Sequence, residues 1–351
     1  MNKIRTAVVF GGRSPEYDVS LMSSYSIINA IDREKYDVIP IGVTRLGGWY
    51  RYTGDVEGIR DDKWHLDEAF LKRVILSPSY GEGLLELDNG RVTQVPVDVV
   101  FPVLHGRYGE DGTVQGLCEL AGIPVVGSGA AASALCMDKD RAHKLISLCG
   151  IRVPRSICFE YKPSESELAS AAKELNLPVV VKPVKAGSSF GITVARELSQ
   201  LNEAVGLAFG YDDAVIIEEK IHGFETGCAV VGNTELTVGR IDEIELSGEF
   251  FDFEEKYTLK TSKIHVPARV SAETEERLQN TAKTIYRALG CRGYARIDIF
   301  LTDNNEIVFN EANTIPGFTE HSRFPSMMKA AGVSFSMLVD MLISMSIDHR
   351  E

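Results

Sequence analysis

The chain has 351 residues, of which 44% are hydrophobic and 25% charged, and its formal net charge is −13. This length predicts two or three domains, and the acidic balance argues against a nucleic-acid partner bound through a general basic surface. No apolar run approaches the length that crosses a membrane. The N-terminus lacks the apolar core and cleavage site of a signal peptide, and the six cysteines show no paired spacing. A reducing, cytoplasmic location is therefore expected.

Strand and helix patterns alternate along the first third of the chain, which predicts an α/β fold. An apolar run, IRTAVVF, ends in Gly11 and Gly12, and a helical pattern follows through Ile31. Further strands are predicted over YDVIPIGVT, VDVVFPVLHG and GIPVVGS. Together these elements indicate a doubly wound domain of about 120 residues, whose ligands bind at the carboxyl ends of the strands.

Two glycine-containing segments fall at such strand ends. The first, GGRSPE, lacks the second and third glycines of a dinucleotide fingerprint and could be a tight turn. The second, HGRYGEDGTVQG from His105, places four glycines and two acids within twelve residues. Because ordering such a loop costs entropy, we expect it to be functional, although a single histidine is more often structural than catalytic.

In the middle third, Lys139 and Lys144 fall in a predicted helix, and Lys182 falls in a strand of valines. The two helix lysines could lie on a solvated face, whereas a lysine in a buried strand needs a charged partner. The loop KAGSSFGI follows, and its backbone N–H groups could cradle a phosphate, although it lacks the Walker A spacing. Further on, Glu218, Glu219 and Glu225 either accept hydrogen bonds from a nucleoside or are exposed to solvent.

The last third begins with FFDFEEKYTLKTSKIHVPA, which mixes aromatic, lysine and polar residues without a clear period. This segment predicts a long mobile loop of the kind used as a lid. An amphipathic helix closed by Gly290 follows. The segment RGYARIDIFLTDNNEIVFNEANTIPG then predicts a β-hairpin that turns at residues 303–305.

Polar residues alternate on both strands of this hairpin, with Arg296 and Asp298 on the first and Glu311 and Asn313 on the second. Alternate residues share one face of a strand. If the two faces coincide, Asp298, Glu311 and Asn313 converge on a cation. Oxygen ligands without histidine or cysteine favour magnesium or manganese over zinc. An acidic pair on a hairpin is more often only solvated, so the metal site depends on the register of the strands.

The order of the motifs resembles that of the D-alanine:D-alanine ligases, which belong to the ATP-grasp superfamily. The matching motifs are GGRSPEYDVSL, HGRYGEDGTVQG, MDK, VKPVKAGSSFGI, EKY, ARIDIF and NEANTIPGFTEHS. The resemblance covers nearly the whole chain. Within the family, the chain most resembles the D-alanine:D-serine ligases of the VanG type. It implies an α/β ATP-grasp fold of three domains, with ATP held between the last two. The expected domains are a doubly wound N-terminal domain (1–125), a central domain (126–226) and a C-terminal domain with the lid and the metal site (227–351).

The resemblance also implies a nucleotide and metal site. Residues expected to contact ATP are the phosphate lysines Lys139, Lys182 and Lys256, the adenine acid Glu218 and the ribose acid Glu225. Two magnesium ions, or manganese, are expected to be held by Asp298, Glu311 and Asn313. ATP would convert D-alanine into an acyl phosphate, which the amine of a second amino acid then attacks.

A second group of residues is implied at the amino-acid site. Glu16 matches the carboxylate that binds the ammonium of the first D-amino acid, and His105 lies in the matching substrate loop. Arg296 and the backbone of Gly317 match the groups that hold the oxyanion. Ser322 matches a residue that binds the carboxylate of the acceptor. Glu16, Ser188 and Tyr257 match a hydrogen-bonded triad that fastens the lid.

Two departures from the common D-alanine ligase pattern leave the second substrate open. Phe251 stands where those enzymes commonly carry a tyrosine, and Arg323 where they usually carry leucine. We expect D-serine, with the Arg323 guanidinium donating to its hydroxyl. Alternatively, Arg323 pairs with a nearby acid such as Asp242 or Glu243 and only shapes the wall of the site.

Three hypotheses about function remain on sequence alone. The first is a homodimeric ligase that joins D-alanine to D-serine, and the second is a D-alanine:D-alanine ligase with an unusual pocket. The third, an ATP-binding regulator without catalysis, requires the loss of a metal ligand or phosphate lysine, and none is lost.

Overall fold

The structure is a computed structural model that describes residues 3–187, 189–245 and 263–347. Its first sheet is built from β1 (Ile4–Gly11), β2 (Tyr36–Val43), β3 (Trp49–Tyr52), β4 (Leu71–Leu76), β5 (Leu84–Asp88), β6 (Arg91–Val95) and β7 (Val99–Pro102), in the order β6-β5-β4-β3-β2-β1-β7. Within the described residues, β1 pairs in parallel with β2 and with β7, and the other strand pairs of this sheet are antiparallel. The carboxyl ends of β1 and β7 therefore meet at one edge, where Gly12 and His105 follow.

Three α-helices accompany this sheet, α1 (Tyr17–Ala30), α2 (Glu57–Arg60) and α3 (Thr113–Ala121). The strand predicted over GIPVVGS is wrong, because a single bridge joins Val125 to Val100. Pro124 has no N–H with which to extend the ladder, and Gly127 adopts a φ of +112°. The chain therefore turns away after one bridge.

The second sheet has four strands in the order β10-β9-β11-β8. The elements in this part of the chain are α4 (Ala130–Met137), α5 (Lys139–Leu148), β8 (Ser156–Phe159), α6 (Glu165–Leu175), β9 (Val179–Pro183), β10 (Thr193–Ala195), α7 (Leu198–Ala208) and β11 (Val215–Glu219). The predicted capping box of α6 is confirmed, since Ser164 and Glu167 bond reciprocally. The predicted phosphate loop joins β9 to β10 and so lies at an end of this sheet.

In the described part of the chain, the third sheet has six strands, with the order β15-β14-β12-β16-β17 and β13 paired with β12. The elements are β12 (Gly223–Gly232), β13 (Leu236–Val238), β14 (Asp242–Glu245), β15 (Lys263–His265), α8 (Ala272–Ala288), β16 (Tyr294–Thr302), β17 (Ile307–Asn313), α9 (Arg323–Ala330) and α10 (Phe335–Ile347). The expected domain limits remain a prediction, and the one between residues 226 and 227 falls inside β12. The predicted lid covers residues 250–268, of which 250–262 lie outside the described residues and Lys263–His265 form β15.

A buried aromatic cluster joins the first sheet to the end of the chain. The ring of Phe318 lies 6.3 Å from Phe101 on β7, 5.7 Å from Tyr294 on β16 and 5.8 Å from Phe324 on α9, measured between centroids. These contacts bring the chain after β17 against the carboxyl end of β7.

Within the described residues, no single helix is long and apolar enough to span a membrane. The pair α9 and α10 reaches that length and composition only when counted together, and the two helices are bent at 102° to each other.

Candidate active site

The hairpin of β16 and β17 places the predicted metal ligands on one face. In its register, Asp298 lies opposite Glu311 and Arg296 lies opposite Asn313, with a bulge after Asp298. Asn313 Nδ2 donates to Asp298 Oδ2 at 2.9 Å, which leaves the Asn313 carbonyl oxygen as an acceptor. The donor set consists of hard oxygens, which fits magnesium or manganese. Within the described ranges, no group of three His, Cys, Asp or Glu side chains forms a metal site, so the asparagine is needed to complete this one.

Two lysines reach the same hairpin from the second sheet region. Lys139 is buried, so its alternative position on a solvated face is wrong. Its Nζ donates to Ala186 O at 2.8 Å and lies 3.5 Å from Glu311 Oε2. Burial lowers the pKa of Lys139, and the Glu311 charge acts against this shift. Lys182 Nζ lies 2.8 Å from Glu218 Oε2, which is the charged partner that a lysine in a buried strand requires.

His143 on α5 completes this group and was missed by the sequence analysis. Its Nε2 lies 2.7 Å from Asn310 O, and its Nδ1 lies 3.5 Å from Glu218 Oε1. Burial lowers the pKa of His143. Among the described side chains, His143 Nδ1 and Glu218 Oε1 both lack a hydrogen-bond partner. We call Lys139, His143, Lys182, Glu218 and Glu311 the lysine cluster.

A cavity of about 550 Å³ brings the predicted nucleotide residues together. Its walls come from the second and third sheets and from the phosphate loop, and they include Lys139, Lys182, Gly187, Glu218, Glu225 and Glu311. This volume lies in the range of small-molecule and cofactor sites. Lys256, predicted to contact a phosphate, lies outside the described residues.

Arg323 lies at the start of α9 and is paired with carboxylates. Its Nε and Nη2 donate to the two oxygens of Asp242 at 2.7 and 2.9 Å, and its Nη1 donates to Glu225 Oε1 at 2.9 Å. The side chain is only 8% exposed. Burial alone would lower the pKa of Arg323, but Asp242 and Asp298 hold it well above its ordinary value. The pairing of Arg323 with Asp242 is thus present, and the role of Arg323 toward the substrate remains a prediction.

Arg296 makes a second bidentate pair beside the first. Its Nε and Nη2 donate to Asp298 at 2.8 and 2.7 Å. The Arg323 and Asp298 side chains also approach, with 3.6 Å between Nη2 and Oδ1. A side chain at position 227 would meet Arg323 Nη2 at 2.6 Å, so Gly227 on β12 is needed for this close packing. We call Glu225, Asp242, Arg296, Asp298 and Arg323 the arginine cluster.

Glu16 lies immediately before α1 and is buried. A Cβ atom on Gly106 would collide with its Oε2, and one on Gly187 would lie 3.0 Å from it. The Glu16 carboxylate therefore sits between the glycine-rich loop and the phosphate loop. Ser188, next to Gly187, lies outside the described part of the chain, as do Phe251 and Tyr257.

His105 is buried, and both ring nitrogens contact protein atoms. Nδ1 lies 2.7 Å from Ile315 O, and Nε2 lies 3.1 Å from Ser23 Oγ. Burial lowers the pKa of His105. A neutral imidazole has one donor and one acceptor, so neither ring nitrogen is left for a substrate. That His105 contacts the substrate remains a prediction.

The turn after β17 carries Gly317 and leads to Ser322. Ser322 Oγ accepts a hydrogen bond from Thr319 N at 3.0 Å, and it lies 3.4 Å from the place where a Gly317 Cβ would be. Gly317 and Ser322 are therefore brought together, as expected for two groups at one amino-acid site. That they bind an oxyanion and an acceptor carboxylate remains a prediction.

Comparisons with known proteins agree with this arrangement. A family model described as "D-ala D-ala ligase N-terminus" matches residues 5–128, and one described as "D-ala D-ala ligase C-terminus" matches residues 145–344. The chain is 44% identical to the vancomycin C-type resistance protein VanC1 of Enterococcus gallinarum, covering 100% of both chains. It is 43% identical to a D-alanine–D-alanine ligase of Caldicellulosiruptor bescii, covering 99% of this chain and 96% of that one.

Among solved structures, the chain is similar to the VanG D-Ala:D-Ser ligase of Enterococcus faecalis. The TM-score is 0.90 and the identity is 55%, covering 98% of this chain and 100% of the other. The predicted ATP-grasp fold is confirmed by this similarity. The similarity also confirms the predicted enzyme class, an ATP-dependent ligase of D-amino acids that needs a divalent metal. The chain belongs to the D-alanine–D-alanine ligase family.

Proposed function

We propose that this enzyme joins D-alanine to D-serine, with ATP and two magnesium ions, for which manganese could substitute. The observation that carries the proposal is the 55% identity, over 98% of this chain, to a protein described as a D-Ala:D-Ser ligase. The dipeptide would serve as a peptidoglycan precursor in vancomycin resistance. The cytoplasmic location and the homodimer expected from the sequence remain predictions of the same proposal.

A ligase that uses D-alanine at both positions is the second candidate. The 43% identity to the D-alanine–D-alanine ligase of C. bescii favours it. That value is lower than the identity to the D-Ala:D-Ser ligase, so we place D-serine first.

In the first step, ATP phosphorylates the carboxylate of D-alanine. Glu16 would hold the ammonium of D-alanine from its buried position between the two loops. Lys139 and Lys182 would contact the phosphates from the wall of the cavity. Magnesium held by Asp298, Glu311 and Asn313 would neutralise charge on the transferred phosphoryl group.

In the second step, the amine of D-serine attacks the acyl carbon. The new C–N bond replaces the bond to phosphate, so inorganic phosphate leaves and the amine loses a proton. Negative charge builds on the former carbonyl oxygen, where the Arg296 guanidinium and the Gly317 N–H would stabilise it. A good donor in such a site contributes about 3 kcal/mol.

The arginine cluster supplies a basis for choosing D-serine. Arg323 follows Ser322 directly and has five N–H donors, of which three are bonded to Asp242 and Glu225 in the contacts described above. The pairs with Asp242 fix the guanidinium, so a remaining N–H could donate to the D-serine hydroxyl. D-alanine would leave that donor unsatisfied, which costs roughly 1 to 3 kcal/mol.

The lid belongs to the same proposal. An acyl phosphate hydrolyses readily, so the site has to exclude water during the reaction. We assign this role to the segment around Lys256 and Tyr257, with Ser188 and Glu16 as partners of Tyr257. Phe251 would line the acceptor side without competing for the hydroxyl of D-serine.

Release of ADP with different acceptors tests the proposal. The purified enzyme is supplied with ATP, magnesium and D-alanine, and then also with D-serine, glycine or D-lactate. We expect D-serine to accelerate ADP release most strongly and to give the mixed dipeptide. If D-serine adds nothing to the rate and alanyl-alanine is the product, the second candidate replaces the first.

A further inference from the structure

The glycine-rich loop, residues 105–116, contacts the turn of residues 315–318 through a residue to which no role has been given. Glu110 Oε1 accepts a hydrogen bond from Ile315 N at 3.1 Å, and Oε2 accepts one from Gly106 N at 2.8 Å. The Glu110 N–H in turn donates to Gly106 O at 2.8 Å. The carboxylate therefore bridges the edge of the first sheet and the chain leaving the third.

His105 contacts the backbone carbonyl of Ile315, the residue whose N–H is bonded to Glu110. Its Nδ1 lies 2.7 Å from Ile315 O, and its Nε2 lies 3.1 Å from Ser23 Oγ. Ser23 Oγ also accepts a hydrogen bond from Phe318 N at 3.1 Å. Since Ser23 accepts from Phe318, its own proton can go to Nε2, and Nδ1–H then donates to Ile315 O.

These contacts fix the turn on both sides of Gly317. Ile315 is held at its N–H and its C=O, and Phe318 is held at its N–H and by its buried ring. Pro316, between them, has a restricted φ. The direction of the Gly317 N–H is thus set by three side chains from the first sheet region, Ser23, His105 and Glu110.

We propose that Glu110 is a positioning residue for peptide-bond formation, which acts with His105 and Ser23 by aiming the Gly317 N–H at the oxyanion. The inference rests on the proposed reaction through D-alanyl phosphate, but not on the identity of the acceptor. It assigns His105 to positioning, in place of the substrate contact predicted from the sequence. Removal of one of the two acceptor oxygens of Glu110 lets the turn shift, and small displacements of an oxyanion donor reduce the rate of the step that it stabilises.

The test compares Glu110→Gln with Asp111→Asn, a matched change in the same loop. Gln keeps the size of Glu110 but leaves one acceptor for two N–H donors. The Asp111 carboxylate accepts hydrogen bonds from Tyr108 N and Thr113 N, both within the loop. Each variant is assayed for dipeptide, for D-alanyl phosphate trapped as the hydroxamate with hydroxylamine, and for thermal unfolding.

For Glu110→Gln we expect dipeptide formation to fall about tenfold to a hundredfold. Trapped D-alanyl phosphate and the KM for ATP should change less than about twofold, because phosphoryl transfer depends less on the Gly317 N–H than peptide-bond formation does. Asp111→Asn should stay near the parent in both steps. Ser23→Ala, which removes the acceptor of Phe318 N–H, should reproduce the selective loss.

Two results overturn the inference. One is a Glu110→Gln enzyme that forms dipeptide as well as Asp111→Asn does. The other is a parallel fall of both steps and of the unfolding temperature in Glu110→Gln and in Ser23→Ala, because a purely structural role would act on both steps alike. If the parent forms no alanyl-serine but does form alanyl-alanine, the D-serine proposal fails while this test still applies.

Discussion

In the lysine cluster each lysine contacts a carboxylate through a single atom pair, whereas in the arginine cluster each arginine binds an aspartate through two parallel bonds. Lys139 is 3.5 Å from Glu311, while Arg323 spans both oxygens of Asp242 at 2.7 and 2.9 Å. Burial lowers the pKa of Lys139, whereas the carboxylates around Arg323 hold the pKa of Arg323 above its ordinary value. Both groups converge on the same β16–β17 hairpin.

This difference separates two uses of buried charge. A lysine is a compact charge on a flexible stem, and it can exchange one anionic partner for another. A guanidinium held in two parallel bonds is fixed in place, and its loss leaves a buried carboxylate uncompensated. We therefore expect changes in the lysine cluster and its metal ligand to reduce activity, and changes in the arginine cluster to reduce stability as well.

The largest expected effect is on catalysis, in Glu311→Gln. This change keeps the shape of the side chain and removes the charge that magnesium requires. Turnover should fall by about a hundredfold or more, since metal-ion stabilisation of the transferred phosphoryl group is worth several kcal/mol. Thermal unfolding should change little. Near-normal turnover in saturating magnesium would exclude Glu311 as a metal ligand.

The next effect is on stability, in Arg323→Leu. Asp242 would stay buried without its partner, so the free energy of unfolding should fall by about 3 to 5 kcal/mol, measured by urea denaturation. The control is Arg240→Leu. Arg240 makes a bidentate pair with Glu275 at 2.7 and 2.9 Å but is 42% exposed, and an exposed pair contributes about 1 kcal/mol or less. Equal losses in the two variants would contradict the distinction between the clusters.

The smallest effect is a pH dependence from His143. Burial lowers the pKa of His143 below its ordinary value of 6.5. As the pH falls through 6.5, the unfolded chain binds a proton that the folded His143 does not, so the folded state loses stability by up to about 1.4 kcal/mol per pH unit. In His143→Gln, stability between pH 7 and pH 5 should fall less steeply. His105 is present in both proteins, so the difference in slope isolates His143, and identical slopes would show that His143 does not contribute.

Local periodicity explains what the sequence could predict. Arg296, Asp298, Glu311 and Asn313 alternate on two strands joined by a short turn, so their shared face follows from the strand period once the register is known. The partner of Lys182 was expected because a charge within a strand of valines needs compensation. The pairing of Arg323 with Asp242 was named as one of two alternatives, because a buried arginine needs acceptors.

Contacts between distant segments explain what the sequence could not predict. Glu110 and Ile315 are 205 positions apart, and His105 and Ile315 are 210 apart. No spacing rule connects such residues, and Ser23 lies in a helix without any local signal of its role. The sequence showed only that the glycine-rich loop contains two acids. The choice between them follows from the fold, which brings Glu110 to Ile315 and leaves Asp111 within its own loop.

A direct competition between acceptors tests the central claim, that this ligase makes alanyl-serine. The enzyme is supplied with ATP, magnesium and equal concentrations of isotopically distinguishable D-alanine and D-serine, and the two dipeptides are quantified by mass spectrometry at early times. An Arg323 donor that only D-serine satisfies predicts an excess of alanyl-serine of about tenfold to a hundredfold. An excess of alanyl-alanine in the same mixture would contradict the claim.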